Sequence, residues 1–225
     1  MSPKATPPES TRHPDKDPNQ DPRASRLSDT SPRTSPRDPE LRSGRRIVIR
    51  LKELYPHVQC ALDFQNTYQL LVATILSAQC TDKRVNLVTP VVFARFPDPA
   101  ALAQADGGEL EALIRSTGFF RAKARNLIGM AKAVAEAHQG QVPTDLESLT
   151  RLPGVGRKTA NVVLGTAHGI ASGVVVDTHV KRLSRRMGLT TKTDPVRIEQ
   201  DLMRIVPRRE WIDFSNRDRN RRGRL

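Results

Sequence analysis

Apolar residues recur at the spacing of amphipathic helices along the chain from residue 46 onward. The clearest case is a segment that Asn66 or Thr67 can cap, and its apolar face consists of Leu70, Leu71, Ile75 and Leu76. The one candidate for a strand, residues 174–176, is a run of valines too short to found a sheet. The pattern therefore predicts an all-α fold.

Glycine and capping residues divide this pattern into separate helices. Gly107 and Gly108 together predict a break in the chain before the next apolar segment. A long amphipathic helix is expected from about residue 121 to residue 138. Thr144 and Glu147 have the spacing of a capping box, which predicts the start of another helix there.

Residues 1–45 differ in composition from the rest of the chain. They hold nine of the 17 prolines, no aromatic residue, and only Leu27 and Leu41 as large aliphatic residues. Such a segment cannot bury enough apolar surface to offset the entropy lost on ordering. We therefore expect a disordered leader over residues 1–45.

Charge and cysteine content narrow the class of protein. The chain carries 37 basic and 24 acidic residues, a net charge of +13, which favours a polyanion as partner. Cys60 and Cys80 lack the spacing of metal ligands. No apolar run approaches the ~20 residues that span a membrane, and the first residues lack the apolar core of a signal peptide. We expect a cytoplasmic protein with no membrane partner.

Leu-Pro-Gly-Val-Gly at residues 152–156 joins two apolar helical segments. Pro153 ends the first segment, and Gly154 and Gly156 permit backbone angles that a Cβ would obstruct while leaving amide N–H groups uncovered. These donors lie at the positive end of the next helix, where they suit a phosphate of a DNA backbone. A simple tight turn between helices is the alternative.

Lys158 follows the hairpin directly and has two possible roles. It can neutralise a phosphate, or, if burial, Arg157 or the helix N-terminus disfavours its charge, it can attack C1′ of a deoxyribose and form a Schiff base. A carboxylate nearby would stabilise positive charge on the sugar as the base departs. Asp177, at the start of a later helix, is the best candidate, although it can also serve only as a helix cap.

Four ordered motifs resemble the endonuclease III family of DNA glycosylases. They are Ser-Ala-Gln-Cys-Thr-Asp at residues 77–82, Thr-Gly-Phe-Phe-Arg-Ala-Lys-Ala at 117–124, the hairpin with Arg-Lys-Thr-Ala at 152–160, and Val-Asp-Thr-His at 176–179. The resemblance implies a helix-hairpin-helix glycosylase fold with a six-helix barrel and a second helical domain. It also implies a monomeric glycosylase and AP lyase that removes oxidised pyrimidines from duplex DNA.

The resemblance also implies roles for particular residues. Lys158 is the Schiff-base lysine and Asp177 the catalytic carboxylate. Gln79 lies near the gap left by the extruded nucleotide, and Phe119 is at the position of an apolar wedge, where an inserted side chain would help kink the duplex. Further DNA contacts are expected from Leu152, Gly154, Gly156, Arg157 and Thr159. Two alternatives stay open, a core position for Phe119 and a buried amide at Gln79.

The same resemblance divides the chain after the leader into segments. Residues 46–66 are the N-terminal helix of the second domain. Residues 67–170 form the barrel and include the helix-hairpin-helix at 145–168. Residues 171–214 supply the loop with the catalytic Asp177 and the return helices. Residues 215–225 are an atypical Arg-rich tail.

The C-terminal sequence departs from the family. Most members carry a Cys-x6-Cys-x2-Cys-x5-Cys loop that holds a [4Fe–4S] cluster, whereas this sequence has no cysteine after Cys80. We therefore expect no cluster in this chain, and we interpret its C-terminus as a truncated or frame-shifted reading. We also expect the second domain to be incomplete, so that apolar faces in residues 46–56 and 195–214 lack cover.

Two other functions are compatible with parts of the sequence. The altered C-terminus favours a truncated, catalytically weak or inactive relative that kept its hairpin for binding DNA. The basic clusters by themselves suit an RNA-binding protein, but no aromatic residues interleave with them. Lys158 and Asp177 favour the enzyme, because binding DNA requires neither.

Overall fold

The computed structural model describes residues 39–56 and 60–214, and within these ranges the chain forms helices and no strand. None of these helices has both the length and the apolar character needed to cross a membrane. The α-helices are α1 (Pro39–Leu54), α2 (Thr67–Leu76), α3 (Asp82–Arg95), α4 (Pro99–Ala103), α5 (Gly107–Ile114), α6 (Phe120–Ala137), α7 (Leu146–Arg151), α8 (Arg157–His168), α9 (Thr178–Arg186) and α10 (Pro195–Ile205). Two 3₁₀ turns, Arg115–Thr117 and Arg208–Glu210, also occur, and residues 211–214 are helical at the end of the described range. The all-α prediction is confirmed.

Short polar side chains start most of these helices. Asn66 Oδ1 accepts from the amide of Gln69 at 2.9 Å, which begins α2 where the sequence predicts it. Asp98 caps α4 and Asp194 caps α10, each one residue before a proline at the first helical position. Local sequence therefore sets these boundaries.

Two predicted boundaries are wrong. Gly107 and Gly108 do not break the chain, because they form the first turn of α5 behind the cap of Asp106. The expected capping box at Thr144 does not form either, since Asp145 caps α7 by accepting from the amide of Ser148 at 2.8 Å. In both places an aspartate directly before the helix supplies a better-placed acceptor.

The first helix begins earlier than expected. Helix α1 starts at Pro39, so its first turns overlap the leader predicted for residues 1–45. Gly44 lies so close to Ile205 that a side chain there would collide with it. Packing against α10 thus accompanies a helix that extends into sequence in which Leu41 is the only large aliphatic residue. The rest of the predicted leader lies outside the described residues.

The buried apolar residues form two clusters. The larger cluster runs from Leu62 to Leu164 and is built by α2 to α8. The smaller cluster joins α1 to the C-terminal part of the described chain and comprises Val48, Leu51, Val174, Val180, Leu189, Ile198, Leu202, Val206 and Phe214. The apolar faces in residues 46–56 and 195–214, which we expected to be exposed, therefore pack against each other in part. Ile49 and Val196 stay about half exposed.

Candidate functional site

The hairpin between α7 and α8 is a tight turn with an open helix start. The amide of Val155 donates to the carbonyl of Leu152 at 3.1 Å and closes the turn. Gly154 has φ +76°, which a residue with a side chain adopts only under strain. Gly156 precedes α8 and gives it no side-chain cap. The first N–H groups of α8 are therefore presented at the positive end of the helix dipole.

Buried side chains of the hairpin pack into the larger core and hold the turn in place. Leu152 is 4 % exposed and Val155 is 5 % exposed, and both belong to the larger core. A Cβ on Gly154 would lie 2.8 Å from Cβ of Asn126 on α6. The Leu152 side chain therefore supports the hairpin, and contact of this residue with DNA stays a prediction.

A cavity of about 190 Å³ opens beside the start of α8. Lys158 and Thr159 line it from the helix, and Gln79 lines it from the turn after α2. Gly173 and Val175 line it from the loop that leads to α9. The structure thus places Gln79 in the same cavity as Lys158 and Thr159, although Gln79 lies far from them in the sequence.

Lys158 is exposed at the mouth of this cavity. Its side chain is therefore not desolvated, as one of the three causes considered would require. The neighbouring Arg157 is paired with a carboxylate, its Nε lying 2.7 Å from Oε2 of Glu199. Lys158 itself lies in the first turn of α8, at the positive end of the helix dipole.

Glu199 is the centre of a buried polar network that the sequence did not reveal. Its carboxylate accepts from Arg157 and also from Asn161 Nδ2 at 3.0 Å, and the residue is 4 % exposed. Ser172 in turn donates to Asn161 Oδ1 at 2.8 Å. A Cβ on Gly173 would collide with both Glu199 and Asn161. The network ties α8 and α10 to the loop that leads to Asp177.

Asp177 caps α9 as the sequence predicts. Its Oδ1 accepts from the amide of His179 at 2.9 Å and from that of Val180 at 2.8 Å. The residue is half-buried, and Val175, two positions earlier, lines the same cavity as Lys158. Asp177 is therefore placed at the end of the segment that forms one wall of the cavity.

Gln79 and Phe119 are both exposed, and both have left-handed backbone angles. Gln79 has φ +54° and Phe119 has φ +48°. Phe119 is 67 % exposed, so the alternative of a core aromatic is wrong. The alternative of a buried amide at Gln79 is also wrong, because that residue lies at the surface. Strained residues of this kind cluster at functional sites.

Lys123 differs from the other basic residues at the start of α6 because it is buried. It is 5 % exposed, whereas Arg121 and Arg125 are exposed. Its Nζ donates to the carbonyl of Leu76 and to the carbonyl of Thr117, each at 2.8 Å. Burial lowers the pKa of the Lys123 ammonium, an effect that Cys80 partly opposes. Sequence reasoning missed this role, although Lys123 lies in the family motif at residues 117–124.

A second depression runs along α9. It is lined by Thr178, Lys181, Arg182, Arg185, Arg186, Thr190 and Thr191. Four of these residues are cationic, and the depression begins next to Asp177. A groove of this charge suits a phosphate backbone.

The residues of this chain do not fit an iron–sulfur cluster. A [4Fe–4S] cluster held by cysteines needs four thiolates, and the sequence contains two cysteines. In the described ranges, no three His, Cys, Asp or Glu side chains are grouped so that they could hold a metal ion. The chemistry below therefore uses only protein side chains.

Comparison with known proteins places the chain among DNA repair proteins. Residues 72–208 match the family model of the HhH-GPD superfamily base excision DNA repair protein. The endonuclease III of Synechocystis sp. is 60 % identical over 169 residues, which cover 75 % of this chain and 77 % of that protein. The endonuclease III of Bacillus subtilis is 42 % identical over 163 residues, covering 72 % of this chain and 74 % of the relative.

Two solved structures of endonuclease III with DNA are also similar to this chain. A non-covalent endonuclease III–DNA complex has a TM-score of 0.76 at 39 % identity, over 79 % of this chain and 83 % of that one. A trapped endonuclease III–DNA covalent intermediate has a TM-score of 0.76 at 38 % identity, over 79 % and 84 % of the two chains.

Proposed function

This chain belongs to the endonuclease III family of base excision repair enzymes, and we propose that it removes oxidised pyrimidines from duplex DNA with Lys158 as its nucleophile. Glycosylase and AP lyase activity follows from membership of the family at this level of identity. The roles of individual residues and the kind of damage are the parts that we propose. We further propose that the chain acts as a monomer, because the hairpin, the cavity and Asp177 all come from one chain.

The proposed reaction joins the lysine to the sugar. The neutral amine of Lys158 attacks C1′ as the bond between C1′ and the base breaks, and the base leaves with the electron pair and takes up a proton. Ring opening gives a Schiff base, which acidifies the proton on C2′. Loss of that proton expels the 3′ phosphate by β-elimination, and water then releases the lysine. The carboxylate of Asp177 stabilises the positive charge that develops on the sugar and helps to transfer protons.

The shared cavity is the observation that carries this proposal. Lys158 and Gln79 both line it, and the loop that leads to Asp177 forms a wall. A nucleotide extruded from the duplex would present its C1′ to the lysine at this position. A hairpin that only bound phosphate would not need a cavity beside its lysine.

The remaining predicted residues suit the binding of duplex DNA, which the related solved structures contain. The open start of α8 would hold a phosphate with the amides around Gly156, which positions the duplex without reading its sequence. Phe119 would enter the stack as the wedge, and Gln79 would occupy the gap left by the nucleotide. Cations along α9 would neutralise neighbouring phosphates.

Borohydride trapping tests the proposal. The protein is mixed with duplexes that contain thymine glycol or an abasic site, and borohydride reduces any Schiff base to a stable adduct. We expect an adduct with the native protein and none with Lys158→Ala. Lys132→Ala, which removes an exposed lysine from α6, is the matched control and should retain the adduct.

Two outcomes would contradict the proposal. DNA binding without any adduct would leave a binding protein that lacks the chemistry. An adduct that persists in Lys158→Ala would assign the Schiff base to another amine. Trapping on a panel of oxidised pyrimidines and oxidised purines tests the kind of damage, and sedimentation of the free protein tests the monomer.

A further inference from the structure

The two turns assigned to DNA insertion are joined by one buried cation. Helix α2 ends at Leu76, three residues before Gln79, and the 3₁₀ turn Arg115–Thr117 ends two residues before Phe119. Lys123 Nζ donates to the main-chain carbonyls at both ends, Leu76 and Thr117, at 2.8 Å. One side chain therefore connects the backbones of turns that are about 40 residues apart in the sequence.

The position of Lys123 makes this connection strong. The residue is 5 % exposed, so the ammonium has exchanged water for these two carbonyls. The carbonyl of Leu76 lies at the C-terminus of α2, where unpaired carbonyl groups favour a cation. Removing the ammonium would leave two acceptors in the interior without this donor.

Both connected turns contain strained backbone. Gln79 and Phe119 have positive φ angles although each carries a side chain, and Phe119 is preceded by Gly118 at φ +70°. Such conformations persist only where the surrounding structure holds them. The carbonyls that accept from Lys123 lie two residues before the strained Phe119 in one turn and three residues before the strained Gln79 in the other.

We propose that Lys123 is a positioning residue that couples the turn carrying Gln79 to the turn carrying Phe119. The two side chains are then presented to the duplex at a fixed separation and enter it as a unit. Lys123 acts through the backbone and touches neither DNA nor the reacting atoms. The inference rests on the proposed function, in which these two turns enter the DNA.

Lys123→Met tests the coupling, because it keeps the length of the side chain and removes the donor. The measurement is stopped-flow fluorescence of 2-aminopurine placed next to a tetrahydrofuran abasic analogue, which reports unstacking at the insertion site. We expect the unstacking rate to fall about tenfold, since positioned groups lose rate steeply when misplaced. Lys52→Met is the matched control, because it removes a lysine bonded to buried Glu210 at 2.8 Å, far along the chain from both turns.

A double-mutant cycle with Phe119→Ala separates positioning from a general loss of stability. If Lys123 acts by placing the Phe119 turn, Lys123→Met should slow unstacking by less than about twofold once Phe119 is already removed. The dependence of DNA binding on salt should stay unchanged, whereas loss of a phosphate contact would reduce the slope by about 0.9. Should Lys123→Met fail to fold, Lys123→Gln is measured in the same cycle, since it keeps a shorter donor.

The outcomes distinguish the two proposals. A native protein that forms no borohydride adduct overturns the proposed function. A native protein that forms the adduct, with Lys123 variants that unstack DNA as fast as Lys52→Met, overturns the coupling alone. Equal slowing by Lys123→Met in the presence and absence of Phe119 also overturns it, because the two turns would then act independently.

Discussion

Arg157 Nε donates to Glu199 Oε2 at 2.7 Å, so the cation next to Lys158 is held by a carboxylate from α10. Glu199 is buried, whereas the Arg157 side chain is 45 % exposed. The pair therefore anchors the first turn of α8 to the smaller core while leaving the guanidinium accessible from one side. The charge beside Lys158 is set by two elements that are distant in the sequence.

Glu199→Gln should destabilise the fold. The amide keeps the size of the side chain but loses the charge that Arg157 and Asn161 bond to, which should lower the free energy of unfolding by about 1–3 kcal/mol. Urea denaturation measures the change. Glu147→Gln is the control, since both partners of its pair with Arg151 are more than 70 % exposed, and less than about 1 kcal/mol is expected there. Equal changes in the free energy of unfolding in the two variants would show that the buried network does not stabilise the fold.

Asp177→Asn should separate the two roles of this residue. Asparagine caps helices as well as aspartate does, so the free energy of unfolding should change by less than about 0.5 kcal/mol. Loss of the charge should reduce single-turnover base excision about 100-fold or more. Asp177→Ala should in addition lose about 0.5–2 kcal/mol of stability, because α9 loses its cap. If Asp177→Asn excised the base as fast as the native protein does, Asp177 would serve only as the cap of α9.

The two hairpin glycines should respond differently to alanine. Gly154→Ala introduces a side chain at φ +76° and against Asn126, and should cost about 1–3 kcal/mol of stability. Gly156 has φ −86° and open space at its Cβ, so Gly156→Ala should change stability by less than about 1 kcal/mol. The added methyl group would still crowd the amides that face phosphate, so DNA affinity should fall. Unchanged affinity would place the phosphate elsewhere.

Because the Tyr68 hydroxyl is buried, the free energy of unfolding should fall at alkaline pH. Its hydroxyl donates to the carbonyl of Phe96 at 3.0 Å, and burial, assisted by Asp98, raises its pKa above the ordinary value for tyrosine. The folded state thus keeps the proton after the unfolded state loses it near pH 10, so stability falls as pH rises beyond that value. Tyr68→Phe should cost about 0.5–1.5 kcal/mol at pH 7. The difference from the native protein should shrink above pH 10, and a constant difference in urea denaturation would contradict this assignment.

Most helix boundaries could be predicted because the signals that set them are local. Asn66, Asp98 and Asp177 each cap the helix that immediately follows, and the acceptor and the donors are within three residues of each other. The failures at Thr144 and Gly107 both involve an aspartate directly before the helix. Asp145 competes with the adjacent Thr144 for the cap of α7, and propensity alone does not rank two adjacent acceptors. Asp106 caps α5, so that the glycines expected to break the chain form the first turn of the helix.

The candidate site could be predicted only in part. Lys158 and Asp177 stand out because each has a distinctive place in a motif, next to a hairpin or at a helix start. Glu199 does not stand out, since it is one charged residue on an amphipathic helix rich in charge, and the motif that contains Lys123 does not show that this lysine is buried. Their partners are carbonyls and side chains from distant parts of the chain, and the spacing of residues along the sequence does not indicate those contacts.

The sequence by itself determined the helical class, most of the caps and the hairpin, and it indicated the reactive groups that we propose, because these features depend on neighbours along the chain. Only the tertiary structure decided that Lys158 is exposed, that Arg157 is paired and that Phe119 projects from the surface. It also decided that Lys123, one of several basic residues at the start of α6, is the one that is buried. Burial and pairing depend on which helices meet, and the same lysine faces solvent or two carbonyls according to that packing.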